Sequence, residues 1–172
     1  ADISLTPSTT YTYHVSAVNG SNLESEPSAS VSATTPALAP GDTLIAIHAG
    51  GSQVTASDGT VYMADQYGSG GQTYLATSPI AGTTDDALYQ TQRYGNFSYN
   101  IPAPNGSYTV TLKFSEIYWD AVGLRVFNVQ AEGQPVITNL DVFQQVGADA
   151  AYDVTVPATV FDGTLNLVFQ SV

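Results

Sequence analysis

The sequence predicts an all-β protein built as an antiparallel sandwich. Two observations carry this. Apolar residues recur at period two in at least seven short segments, and those segments are separated by Gly, Pro and Asn turns. No helical period extends beyond a few residues, which excludes alternating βα units.

The first segment is Tyr11 to Val18, where Tyr11, Tyr13, Val15 and Ala17 share one face and Thr12, His14, Ser16 and Val18 the other. A polar loop opened by Asn19-Gly20 leads to a second extended stretch, Val31 to Thr35. Two strands are marginal in water, so residues 1–35 are expected to dock on something or to be part of a larger sandwich. Residues 36–42, with Pro36 and Pro40, read as a stiff linker. From residue 43 onward the pattern is all strand. Leu44 to Ala49 is an apolar run ended by Gly50-Gly51, and Phe97 to Ile101 is followed by Pro102. The turn Pro104-Asn105-Gly106 leads into Tyr108, Val110, Leu112 and Phe114 on one face. Leu124 to Ala131, Pro135 to Asn139, Tyr152 to Val156 and Leu165 to Phe169 complete the set. Gly68-Ser69-Gly70-Gly71 lacks the ending and the following helix of a phosphate loop and reads as a surface turn.

Composition narrows the function. The chain of 172 residues carries fifteen Asp plus Glu against three Lys plus Arg, a formal charge of -12. Lys113, Arg93 and Arg125 cannot neutralise a polyanion, so nucleic acid is excluded as a partner. The absence of cysteine removes disulfides, thiolate nucleophiles and cysteine metal sites. His14 and His48 lie in different segments and form no ligand pair, so no metal or other cofactor is expected. There is no apolar run long enough to insert in a membrane. Low Lys, no Cys and abundant Ser, Thr, Asn and Tyr fit a secreted or cell-surface protein.

Five islands in residues 43–172 carry a resemblance: His48-Ala49-Gly50-Gly51, Leu88 to Tyr94, Lys113 to Tyr118, Arg125 to Val129 and Leu140 to Phe143. This region resembles the malectin family of carbohydrate-binding modules. The resemblance implies a jelly-roll-like sandwich that binds sugars, glucosides or polysaccharides, without transforming them. It also implies that the family's last strand, and an acidic residue from the loop before it, are missing from this chain. Residues 1–35 resemble the C-terminal part of a fibronectin type III domain, with Leu5-Thr6-Pro7 and Tyr11 leading into the strand from Tyr13. The whole then reads as a fragment of a multidomain, bacterial, extracellular protein whose neighbouring domains are covalently linked.

A sugar ring needs flat aromatic surface and directional hydrogen bonds, and tyrosine supplies both. The resemblance implies Tyr67, Tyr89, Tyr118 and Trp119 as the carbohydrate-binding residues. Asp65, Arg93, Glu116 and Asp120 are the supporting polar candidates, with Arg93 and Glu116 expected to pair with one another. Two other functions compete. A glycosidase would use Glu116 with Asp120 or Asp65 as facing carboxylates. A structural spacer or protein-interaction module would leave the aromatic loops idle.

Overall fold

The computed structural model describes residue 5, residue 7, residues 9–36 and residues 43–172. Most of the expected linker, residues 37–42, and Thr6 of the fibronectin-like run therefore lie outside the described residues. The chain divides into two compact units, Ala1–Asp42 and Thr43–Val172.

In the first unit, β1 (Thr10–Tyr13) pairs antiparallel with β2 (Val31–Thr34). Side-chain hydroxyls pair across one face, Thr10 with Thr34 at 2.8 Å and Thr12 with Ser32 at 2.9 Å. Tyr11 opposite Ala33 and Tyr13 opposite Val31 form the other. The strand expected through Val18 stops at Tyr13, and Val18 makes a separate bridge to Glu24.

The second unit is all-β with antiparallel ladders. The short pair β3 (Val54–Thr55) and β4 (Val61–Tyr62) precedes β5 (Gly68–Leu75), the helical turn α1 (Asp86–Tyr89) and β6 (Thr91–Pro102). Then come β7 (Gly106–Phe114), β8 (Phe127–Ala131), β9 (Gln134–Leu140), α2 (Val142–Val146), β10 (Tyr152–Val160) and β11 (Thr164–Ser171). One sheet has the order β5-β6-β11-β8-β9 and another is the pair β10-β7. Their inner faces meet in one core: Tyr99 and Ile101, Leu112, Val129 and Ala131, Val156, Ala158 and Val160, and Leu165, Leu167 and Phe169. Each set recurs at every second residue, the pleat placing alternate side chains inward. Phe97 stacks on Phe169 at 4.3 Å and 13° within this layer.

Three expectations are corrected. Leu44 to Ala49 forms no ladder; only Ile47 bridges, to Met63, while Leu44, Ile45, Ile47 and Ala49 pack on the core as an irregular stretch. The strand expected from Leu124 begins at Phe127, and Leu124, Arg125 and Val126 instead wall a cleft. The glycines at 68–71 are not a surface turn but half of β5, an edge strand with a register shift between Gly70 and Gln72. Gly70 and Gly71 have φ of +78° and +67°, and a Cβ on Gly71 would lie 2.7 Å from the Tyr94 carbonyl oxygen. Glycine is used here for a bulge and a close approach rather than for flexibility.

A cleft walled by aromatic rings and one guanidinium

β6 leaves α1 with Gln92 and Tyr94 on one face and Arg93 on the other. Across the ladder Tyr74 of β5 faces Gln92. At the end of β7 the chain turns out through Glu116 and Ile117, both buried, so that Tyr118 and Trp119 emerge side by side. Tyr74, Gln92, Tyr94, Tyr118 and Trp119, together with Gly123 to Val126, Ser171 and Val172, line a cleft of about 370 Å³. That volume falls within the roughly 300–1,000 Å³ of small-molecule sites. Tyr118 meets Tyr74 edge-on at 5.2 Å and Trp119 edge-on at 4.8 Å, so three rings form a continuous row. Tyr118 remains 58% exposed and Trp119 38%. Tyr94 completes the wall, its hydroxyl donating to Gln72 Oε1 at 2.7 Å.

Beneath the rings, Glu116 is 1% exposed. Its Oε1 accepts from the backbone N–H of Tyr118 and of Trp119, each at 3.0 Å. Its Oε2 lies 3.2 Å from Arg125 Nε. Arg125 Nη1 donates to Gln92 Oε1 at 2.5 Å, and its guanidinium carbon sits 5.3 Å from the centre of the Tyr94 ring. The bond to Arg125 fixes the Gln92 amide orientation and leaves Gln92 Nε2 buried without an acceptor. Gly123, on the rim, donates to Asp141 Oδ2 at 2.6 Å, and Asp141 also caps α2 through Gln144.

Of the four expected aromatic residues, the structure brings Tyr118 and Trp119 together and places the other two elsewhere. Tyr89 is 5% exposed and packs with Ala56, Ile80, Leu88 and Ile117. Its hydroxyl donates to Asp153 Oδ1 at 2.7 Å and accepts from Lys113 Nζ at 3.0 Å. Its ring presents no face to a ligand. Tyr67 is 42% exposed, but its carbonyl accepts from Asn100, at the end of β5 opposite Tyr74. It does not line the cleft.

The polar candidates separate too. Arg93 does not pair with Glu116; its Nη2 donates to Asp65 Oδ2 at 2.7 Å. Asp65 also accepts from Gly50 N and the Tyr99 hydroxyl, which makes it a structural hub. The two ion pairs lie on opposite faces of β6, because Arg93 and Gln92 are adjacent in a strand. Asp120 is exposed beyond the aromatic pair and does not line the cleft. Glu116, facing backbone N–H groups and Arg125, has no oxygen free to serve a hydrolase.

Tyr74, Gln92, Tyr94 and Arg125 line the cleft but were not assigned to the binding set from the sequence. Parity could have found Tyr94: in any strand reading of 89–94, Gln92 and Tyr94 share a face and Tyr89 is on the other. Tyr74 and Arg125 carry no such signal, since the ladder partner and the irregular 124–126 segment are tertiary features.

Residues 43–172 match the family model for the malectin domain. The chain belongs to the malectin family. Malectin domains are noncatalytic carbohydrate-binding modules, and residues 43–172 are such a module rather than an enzyme. Malectin-B of Xenopus laevis is 37% identical over 86 residues, covering 48% of this chain and 31% of that protein. Malectin of Homo sapiens is 37% identical over 86 residues, covering 48% and 30%. The chain thus spans about a third of the length of these relatives. Among solved structures, a Bacteroides uniformis β-glucuronidase superposes with a TM-score of 0.65 at 19% identity, covering 95% of this chain and 21% of that one. The ANXUR2 extracellular domain from Arabidopsis thaliana gives 0.67 at 17% identity, covering 74% and 43%. At such identities these likenesses concern the fold alone. No helix among the described residues is long and apolar enough to cross a membrane.

Proposed function

We propose that the cleft between Tyr74, Tyr94, Tyr118 and Trp119 is the carbohydrate site of this malectin domain, and that the ligand is a glucoside or a polysaccharide end or segment. The single observation that supports it most is the row of edge-on rings, which offers exposed aromatic faces beside hydroxyl, amide and guanidinium groups. A pyranose has the matching shape, an apolar C–H face bordered by hydroxyls.

In the parent protein the domain serves as one covalently linked module of a secreted or surface protein, bacterial in origin, with residues 1–35 as part of a fibronectin type III neighbour. The extracellular setting of ANXUR2 supports the location by analogy of fold.

A glycan array followed by titration of the best oligosaccharide tests the proposal. Saturable binding that disappears in Trp119→Ala supports it. No binding across the array, by a folded protein, supports a structural spacer instead.

A further inference from the structure

One guanidinium joins the two sides of the cleft. Arg125 reaches the β6 wall through Gln92 Oε1 and the Tyr94 ring, and the buried Glu116 carboxylate behind the Tyr118–Trp119 pair through its Nε. Glu116 passes that restraint on, since one carboxylate oxygen holds the N–H groups of both Tyr118 and Trp119. A chain of contacts therefore runs from Gln92 and Tyr94 on one side of the cleft to the exposed ring pair on the other. Arg125 is the node that links the two sides.

From this we infer that Arg125 is the positioning residue of the sugar cleft, acting through Glu116 to set the angle of the Tyr118–Trp119 pair. The inference rests on the proposed sugar site. Three physical features make the role specific to arginine. The planar fork satisfies Glu116 and Gln92 at once, the flat cation lies against the Tyr94 ring, and the side chain is largely buried, where each contact is little screened. A lysine ammonium can meet one of these partners but not all three. Glu116 does not line the cleft, so any effect of changing it on binding reaches the ligand through the backbone it holds. The arrangement also leaves the orphaned Gln92 Nε2 as the free end of an amide that Arg125 has fixed.

The test compares the parent with Arg125→Lys, Glu116→Gln and the double variant. Arg125→Lys keeps a cation beside the buried carboxylate. Glu116→Gln keeps an oxygen acceptor for the Tyr118 and Trp119 N–H groups. Each variant is titrated with maltotetraose and cellotetraose, and the near-ultraviolet circular dichroism of the sugar-free protein reports the asymmetry of the coupled tyrosine and tryptophan rings. The expected result is a loss of affinity of about tenfold in each single variant, with the double variant no weaker than the weaker single, because the residues act in series. The near-ultraviolet spectrum should change in both single variants without sugar. Unchanged affinity in Arg125→Lys, losses that multiply in the double variant, or a spectrum identical to the parent would overturn the positioning role. A parent that binds neither oligosaccharide contradicts a glucan-binding site, and the sugar-free spectrum then decides the positioning role alone.

Discussion

Glu116 holds Trp119 by its backbone: the carboxylate lies beneath the turn, 3.0 Å from the Trp119 amide nitrogen, while the indole projects outward over the cleft. An acid that the competing glycosidase reading would assign to catalysis is thus spent on building a loop. Its other oxygen is taken by Arg125, and neither faces the space a sugar would occupy.

Removing that carboxylate should cost more than any surface change. Glu116→Ala strands two backbone donors and leaves Arg125 largely buried without its counter-ion, a loss of about 3–5 kcal/mol. Chemical denaturation would show a much lower midpoint with the slope unchanged. A midpoint equal to the parent's would mean that the pair contributes nothing.

Tyr89 and Tyr94 should separate cleanly by phenotype. Tyr89→Phe removes hydroxyl bonds to Asp153 and Lys113 under the protein surface and should cost about 1–3 kcal/mol of stability while sugar affinity stays the same. Tyr94→Ala should do the reverse, weakening binding with a smaller effect on the thermal midpoint. Paired melting and titration data check both.

Alkaline pH should destabilise the fold. Burial disfavours the Tyr99 phenolate, and the bond to Asp65 adds to this, so its pKa is raised. Burial likewise raises Tyr89. For Lys113 burial pulls downward, but the bonds to Asp153 and to Tyr89 outweigh it and the net shift is upward. All three groups therefore keep their protons in the folded chain beyond the point, near pH 10, where the unfolded chain begins to lose them. Their contribution is complete below about pH 10 and is lost as pH rises through the folded values. The melting temperature should be level from about pH 8 to 9.5 and fall above about pH 10. In Tyr99→Phe the fall should be shallower; an equal slope would remove Tyr99 from the account.

Gly50 should not tolerate a side chain. Its φ is +77°, and a Cβ would stand 2.5 Å from the carbonyl oxygen of Gln92, a backbone atom that cannot swing away. Gly50→Ala should destabilise by more than about 2 kcal/mol, combining strain with overpacking at the strand that forms the cleft wall. Hydrogen exchange at Gln92 and Tyr94 would show the loosening locally.

The sequence islands make physical sense once the cleft is seen, because each supplies a support for it. Gly50 abuts β6, Gln92 and Tyr94 belong to its wall, Arg125 lines it and is held from behind by Glu116, and Asp141 holds Gly123 on its rim. The sandwich was legible because period-two burial is a local property: Val156, Ala158 and Val160, or Leu165, Leu167 and Phe169, can be read without a partner strand. Tyr118 and Trp119 came from the resemblance, just past the last alternating residue of β7, Phe114. What stayed hidden depends on pairing. Whether Tyr67 or Tyr74 reaches the cleft is decided by the β5–β6 register, and the glycines that read as a turn are the bulge that sets it. The resemblance put Tyr89 against the sugar, yet a single helical turn carries it inward beside Ile117.

The location of the site is the central claim, and the sole tryptophan reports on it directly. Trp119 fluorescence, titrated with the oligosaccharide chosen by the array, should change saturably in the parent and in Tyr67→Ala but not in Tyr94→Ala. A response abolished by Tyr67→Ala and retained in Tyr94→Ala would put the sugar at the far end of β5 and contradict the account.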